Sequence, residues 1–312
     1  MLRFTETSQI PSDFVETVVT IGKFDGIHLG HQQLLHECLE LAEAHGLAAV
    51  AVTFNQHPNV VLNPERVQLP IIGNEQKLEL LAASGMDATL ILNFDLKLAS
   101  LSPDEFVKQV LVEGLKAKAV VVGADFRYGS QGSGDAASLR IAGLENGFTV
   151  KVIEPVELDG VKVSSTEIRH LLDQGNVRGA AKFLGRIHST RGLVEHGLKL
   201  GRQLGFPTAN LSRDSEGYLP LDAVYAGWLH SKGERYPAAL SVGINETLQA
   251  VPRLVEAHVI GHKDLDLYDQ VVTIEYVDFI RPAAKFLDMQ ALIEAIDADL
   301  VAISKVLETQ EA

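Results

Sequence analysis

From residue 18 to residue 156, short apolar runs alternate with amphipathic stretches. The runs are Val18 to Gly22, Ala48 to Phe54, Thr89 to Phe94, Ala119 to Gly123 and Thr149 to Val156. Apolar runs of this length, bounded by turn residues, are the pattern of strands buried on both faces of a parallel sheet. Helical periodicity fills the gaps at about 31–45, 75–84, 103–116 and 135–146, and Gly46, Gly85 and Gly147 stand where a left-handed C-cap would end three of them. The first half therefore reads as α/β, a doubly wound parallel sheet with five buried strands. Such sheets bind ligands outside the carboxyl ends of their strands, so chemistry is expected in the loops after Ile21, Phe54 and Val122.

Two short helices are expected at 166–174 and 177–184, separated by Gly175-Asn176. The rhythm then changes. Residues 192–280 are rich in Gly and Pro and carry alternating runs, among them Tyr225 to His230, Ala238 to Val242, Val255 to Ile260 and Val271 to Val277. Alternation of period two with frequent turn signals predicts a small antiparallel β-barrel. Leu292, Ile296, Leu300, Ile303 and Leu307 recur on one face of a terminal helix expected to pack on that barrel. The expected division is 1–185 and 186–312.

A length of 312 residues fits two domains. At 46% hydrophobic and 22% charged, the chain is an ordinary globular one. No run approaches 18 apolar residues and Met1 to Thr7 begins no apolar leader, so neither a membrane span nor a signal is expected and the location is read as cytoplasmic. The net charge of −14 is shared by both halves. That sign disfavours nucleic acid and anionic membranes, and anionic substrates would have to be held by a few local cations and backbone N–H groups. Cys38 has no partner cysteine in this chain and is expected to be a buried, inert thiol.

Gly22-Lys23-Phe24-Asp25-Gly26-Ile27-His28-Leu29-Gly30-His31 follows the first strand and opens a helix. Glycines allow close backbone approach to a ligand, a helix N-terminus receives phosphate, and two histidines three apart can donate hydrogen bonds to a phosphate gaining charge. A structural pair of histidines at a strand end explains the spacing equally well. A zinc site would need a third ligand that does not accompany them, and glycines at 22, 26 and 30 do not make the dinucleotide fingerprint.

The same string resembles the His-x-Gly-His signature of the nucleotidylyltransferase superfamily in the form found in bacterial FAD synthetases. Thr53-Phe54-Asn55-Gln56-His57-Pro58 is similar to that family's Thr-Phe-x-Pro-His-Pro, with Gln56 in place of proline. Val122-Gly123-Ala124-Asp125-Phe126-Arg127-Tyr128-Gly129 resembles its next motif, with departures at Ala124 and Tyr128. Ser164-Ser165-Thr166-Glu167-Ile168-Arg169 reads as a capping box around Ser164 and Glu167, which leaves Arg169 unexplained. The resemblance assigns Ser165, Thr166 and Arg169 to ATP phosphates. It also implies that His28 and His31 stabilise the α-phosphate while an FMN oxygen displaces pyrophosphate, with Gly22, Phe24, Asp25 and Gly30 shaping the loop and Gly123 and Asp125 on the adenosine side. Phe54, Phe106 and Tyr128 are candidates to face the isoalloxazine, and plain core packing explains each of them as well.

In the second half, Gly197 precedes Gly201-Arg202-Gln203-Leu204-Gly205-Phe206-Pro207-Thr208-Ala209-Asn210-Leu211, a string that looks like the riboflavin kinase signature. Without the longer string, its glycines would read as bulges or barrel corners. The resemblance implies that Thr208 and Asn210 give neutral oxygens to Mg²⁺ and ATP, a donor type that this ion favours. Asn245, within a Ser-Val-Gly-Ile-Asn-Glu-Thr string that has Glu246 for the usual proline, and Arg281, within Phe-Ile-Arg-Pro, continue the match. Glu256 corresponds to the base that takes the riboflavin 5′-hydroxyl proton, and Asp269 stands where glycine usually follows Leu-Tyr. Together these imply a bifunctional riboflavin kinase and FMN adenylyltransferase that uses ATP, riboflavin and FMN, makes FAD and requires Mg²⁺, with no oligomeric state implied. The alternatives are a monofunctional adenylyltransferase with a flavin-binding barrel, and a non-catalytic flavin-binding protein.

Overall fold

The computed structural model describes residues 1–196, 205–243, 253–262 and 265–311. Two compact units divide the chain: Met1–Pro70 with Asn74–Ser164, and Ile71–Gly73 with Ser165–Ala312.

The first unit is built on a six-stranded sheet of β1 (Leu2–Phe4), β2 (Thr17–Ile21), β3 (Ala48–Phe54), β4 (Ala88–Leu92), β5 (Ala117–Gly123) and, after the small hairpin of β6 (Arg127–Tyr128) and β7 (Gly134–Asp135), β8 (Thr149–Ile153). A further hairpin, β9 (Glu157–Leu158) and β10 (Val161–Lys162), follows it. The sheet order is β1-β4-β3-β2-β5-β8, and every neighbour is parallel. From β2 the chain proceeds one way through β3 and β4 and the other way through β5 and β8. The order therefore reverses at β2, and a crevice at its carboxyl end is the place where such sheets hold ligands. Helices α1 (Leu29–His45), α2 (Asn59–Leu62), α3 (Asn74–Ala83), α4 (Leu96–Ser100), α5 (Pro103–Phe106) and α6 (Ala136–Asn146) connect the strands.

Residues 103–116, expected as one α-helix, are one α-turn followed by a π-helix over Val107–Gly114. Its wider winding, closed by Leu115 N–H donating to the Val110 carbonyl at 3.0 Å, brings Val107, Val110, Leu111 and Leu115 all into the core. Of the five expected buried strands, β8 is not buried. It is the sheet's edge, where Val150 and Val152 pack inward while Thr149 and Lys151 are exposed. Strand β1 at the other edge was not foreseen, because three residues of mixed polarity carry no run. Cys38 is fully buried, its thiol donates to the Val18 carbonyl at 3.4 Å, and burial pushes its pKa up to about 12.

The second unit contains α7 (Ser165–Asp173), α8 (Val177–Leu184) and a closed barrel of β11 (His188–Glu195), β12 (Ala209–Leu211), β13 (Ala223–Ser231), β14 (Glu234–Gly243), β15 (Leu254–Val259) and β16 (Val271–Pro282), in the order β11-β12-β15-β14-β13-β16. Every described pairing in the barrel is antiparallel, and β11 with β16 closes it. Helices α7 and α8, which precede the expected boundary at residue 185, pack with the barrel: Leu221 N–H donates to the Leu172 carbonyl at 2.9 Å, and Arg178 pairs with Asp278 at 2.7 Å. The terminal helix α9 (Met289–Glu311) lays Ile303 and Leu307 against Ala226, Trp228 and Val277 of the barrel, as its periodicity requires.

Candidate active sites

At the sheet's reversal point, β2 ends and Gly22 opens the loop. Phe24 and Ile27 there adopt left-handed backbone, with φ of +49° and +39°. Bulky residues occupy that region at a cost of about 1–3 kcal/mol, so the surrounding structure must hold them there. Phe24 is fully buried, with its ring 3.2 Å from where a Cβ on Gly22 would sit and edge-on to His31 at 5.3 Å between centroids. His28 is the N-cap of α1, and its Nδ1 accepts from the His31 backbone N–H at 3.3 Å. With Nδ1 an acceptor, the neutral ring carries its hydrogen on Nε2, which makes it a donor. The two imidazoles stack with centroids 3.7 Å apart. A Cβ on Gly30 would lie 3.2 Å from the His28 ring, a tight contact that would have to push the imidazole aside by a few tenths of an ångström. A rigid pair of imidazoles thus stands at the start of a 17-residue helix, where the backbone favours anions.

Neighbouring loops complete this region. Asn55 N–H donates to the Leu92 carbonyl at 3.1 Å, and Gln56 Nε2 donates to the Phe94 carbonyl at 2.8 Å, a bond that the family's usual proline could not make. Lys23 Nζ lies 3.4 Å from His57 Nε2. Lys162 donates to Asp125 at 2.7 Å and holds that carboxyl below its ordinary range. A Cβ on Gly123 would sit 3.2 Å from Asp125, so Gly123 and Asp125 form one tight corner. Phe54 is half-buried, edge-on to Phe94, while Phe106 and Tyr128 are core residues with centroids 5.8 Å apart. Lys162 and Lys77 escaped the sequence reading, because each is an unremarkable lysine until the fold brings it to a strand end.

Ser165, Thr166 and Arg169 fall in the second unit. Helix α7 opens at Ser165, which puts Ser164 at the N-cap position. Arg169 is buried, its Nη1 donates to the Ser165 carbonyl at 3.2 Å, and its guanidinium lies 6.0 Å from the centre of the Tyr218 ring. Tyr218 is itself fixed by its hydroxyl donating to Asp173 at 2.8 Å.

On the barrel, register does what proximity in sequence does around His28. Asn210 faces Glu256 across β12 and β15, and Thr208 Oγ1 donates to Glu256 Oε2 at 3.4 Å. Asn210 Nδ2 donates to the Thr208 carbonyl at 3.3 Å. Two neutral oxygens and a carboxylate therefore gather at one place, hard donors that suit Mg²⁺ shared with substrate phosphates. Among the described residues no three His, Cys, Asp or Glu cluster as a metal site of their own. Beside Thr208 opens a pocket of about 420 Å³, counting its open mouth, lined by Val194, Pro207, Ala257, Leu267 and Tyr268 among others. The Pro207 carbonyl lies 2.8 Å from His258 Nδ1, and Gly205 turns the chain at φ +90°. Gly197, Gly201, Arg202, Asn245 and Glu246 lie outside the described residues. Asp269 has φ +58°, a left-handed conformation that suits glycine and that aspartate tolerates.

Arg281 is not brought to this group. The register row Asn210, Glu256, Ser241, Val224, Arg281 puts Arg281 three strands along the barrel wall from Glu256. Its guanidinium instead forks onto Asp299 of α9, Nε to Oδ1 and Nη2 to Oδ2 each at 2.8 Å.

Residues 10–167 match the family model of FAD synthetase, and residues 184–307 match that of riboflavin kinase. Curated proteins named bifunctional riboflavin kinase/FMN adenylyltransferase are similar along nearly the whole chain. That of Pseudomonas fluorescens is 36% identical, covering 91% of each chain. That of Listeria monocytogenes is 34% identical, covering 91% of this chain and 90% of its own. That of Escherichia coli is 32% identical, covering 94% and 92%. A crystal structure from Streptococcus pneumoniae described as a macrolide-efflux protein has a TM-score of 0.86 and 32% identity, covering 97% of this chain and 98% of its own. Among the described residues of the present chain no helix is long and apolar enough to cross a membrane. Two family models matched in order, and whole-length relatives above 30% identity, fit the His28 loop on a parallel sheet followed by the Thr208–Glu256 row on a barrel: the chain belongs to the family of bifunctional riboflavin kinase/FMN adenylyltransferases.

Proposed function

We propose that the two activities have separate centres, with adenylyl transfer to FMN at the His28 loop and phosphorylation of riboflavin at the Thr208–Glu256 row. The observation that carries this reading is that each family model covers one constellation, and each constellation has the donors its own reaction needs. In the first reaction an FMN phosphate oxygen bonds to the α-phosphorus of ATP and the bond to pyrophosphate breaks. The reaction needs positioning and charge neutralisation rather than a covalent nucleophile. Nε2 of His28, with His31 stacked on it, donates to the α-phosphate oxygens as they gain charge. Gly22, Phe24 and Gly30 keep the pair in place and Asp25 and the Gly123–Asp125 corner border the nucleotide, while the phosphate role of Ser165, Thr166 and Arg169, in the second unit, rests on the sequence resemblance. Phe54 offers the flavin an aromatic face, backed by the core that holds Phe106 and Tyr128.

In the second reaction the riboflavin 5′-oxygen bonds to the γ-phosphorus of ATP, its proton passes to Glu256, and ADP leaves. Thr208 and Asn210 would hold Mg²⁺, whose contribution is to neutralise phosphate charge. These residues orient the phosphates, and Asn210 also fixes the Glu256 strand by facing it in register. A cytoplasmic location, where ATP is supplied, belongs to the same proposal. Incubation of the full chain with riboflavin, ATP and Mg²⁺, with flavins separated chromatographically, is expected to yield FMN and then FAD. FAD formed only when FMN is supplied would leave the barrel without kinase activity, and neither product would overturn both assignments.

A further inference from the structure

Lys77 has no part in the chemistry derived above, yet it is one of few buried charged side chains. It lies in the first turn of α3 and is 8% exposed. Its Nζ donates to the carbonyl of Phe54, the last residue of β3, at 2.9 Å. Three residues earlier, Asn74 Nδ2 donates to the Asn55 carbonyl at 2.8 Å, so the start of α3 is docked onto two successive carbonyls at the strand end. That strand is the neighbour of β2, on the same carboxyl edge of the sheet as the His28 loop. Among the described residues this is the one hydrogen bond that the ammonium makes, although it has three donors. Asp25 attracts it, but no carboxylate among the described residues comes within ion-pair distance, and burial outweighs that attraction, so its pKa lies below the ordinary lysine value. A buried ammonium with one neutral acceptor is poorly compensated. A structural lysine would be better replaced by an apolar residue, whereas an anion arriving at the strand end would supply the missing acceptor.

We propose that Lys77 is a further substrate-binding cation of the adenylyl-transfer site, whose ammonium at the end of β3 accepts an anionic phosphate oxygen of the incoming substrates. The inference rests on the assignment of adenylyl transfer to this unit. The oxygen could belong to the flavin phosphate or to the ATP chain, and the test separates them. In the full chain, Lys77→Met keeps the length of the side chain and removes its charge, while Lys77→Arg keeps the charge. Initial rates of FAD formation from FMN and ATP are measured for each, with riboflavin phosphorylation as the internal control of the other unit.

Lys77→Met is expected to raise one KM by about ten-fold or more, the loss of one charge-assisted hydrogen bond, with Lys77→Arg recovering part of it and the kinase rate unchanged. A rise in KM for FMN places the flavin phosphate at Lys77, and a rise in KM for ATP places the triphosphate there. Unchanged KM for both overturns the inference, whatever happens to kcat. If Lys77→Met does not fold, the unaltered protein serves: acetylation of Lys77 by acetic anhydride, followed by mass spectrometry, is expected to slow when FMN or ATP is added and not when riboflavin or adenosine is. Equal labelling in all four overturns it. Failure of the unaltered protein to make FAD from FMN would instead refute the underlying assignment.

Discussion

The His28 loop and the Thr208–Glu256 row each gather oxygen and nitrogen donors, by opposite routes. In the first unit one continuous segment supplies strand end, turn, histidine cap and helix start, and His28 Nδ1 bonds to the backbone of the very helix it begins. In the barrel the donors come from two strands far apart in sequence, and their meeting depends on antiparallel register between Ala209–Asn210 and Glu256–Ala257. A one-residue slip there would turn Glu256 to the other face. The local site is thus protected by secondary structure and the distributed one by the barrel as a whole, so a slip of the β12–β15 register should disable Glu256 while leaving the His28 cap intact.

The largest expected effect tests the separation. Glu256→Gln removes the proton acceptor and is expected to slow riboflavin phosphorylation by about 10²–10⁴-fold, leaving FAD formation from supplied FMN intact. His28→Ala is expected to do the reverse, lowering FAD formation by about 10²–10³-fold, the size of a lost oxyanion-type donor, with phosphorylation retained. It should also cost α1 about 1 kcal/mol through its missing cap. Initial-rate assays of the two half-reactions check both, and comparable loss of both activities in either variant would break the comparison.

Next in size is a dependence on pH confined to the barrel. His188 is buried, its Nε2 donates to the Tyr218 carbonyl at 2.7 Å, and its Nδ1 meets no acceptor among the described residues. Burial holds its pKa down from 6.5 to about 4. Between these values the unfolded chain binds the proton that the folded one refuses. This contribution is therefore fully present above pH 6.5 and is lost as pH falls towards 4, a change of about 3 kcal/mol. Urea unfolding followed by fluorescence of the single tryptophan, Trp228, which lies in the barrel, reads the effect directly. In His188→Phe the slope of stability in this window should flatten.

The smallest expected effect sharpens the boundary of the kinase site. Arg281→Met strands Asp299, 7% exposed, on α9 and is expected to destabilise the barrel by about 2 kcal/mol, less than for a fully buried pair. The KM values for riboflavin and ATP should stay unchanged, since the fork is turned to Asp299 rather than to Glu256.

Long apolar runs and helical periodicity made most of the sheet and the terminal helix legible, because each depends on near neighbours. Strand β1 and the exposure of β8 were not, since edge position is a property of the assembled sheet. The π-helix over Val107–Gly114 carries no composition of its own that differs from an α-helix. The His28 loop could be read with its helix start because all its parts are contiguous. Register alone set Asn210 opposite Glu256 and kept Arg281 three strands away. Lys162 and Lys77 needed the fold, and Asp269 shows the converse: its positive φ gives a physical reason for a glycine preference that the resemblance had only stated.

The two sites are expected to work independently, with FMN released from the barrel serving as substrate at the His28 loop. The most direct measurement mixes equal amounts of the His28→Ala and Glu256→Gln variants with riboflavin, ATP and Mg²⁺ and follows FAD. Each alone should fail to reach FAD, and the mixture should restore it, because FMN made by the intact barrel of one is adenylylated by the intact sheet domain of the other. A mixture that accumulates FMN without FAD, or makes neither, would contradict the account.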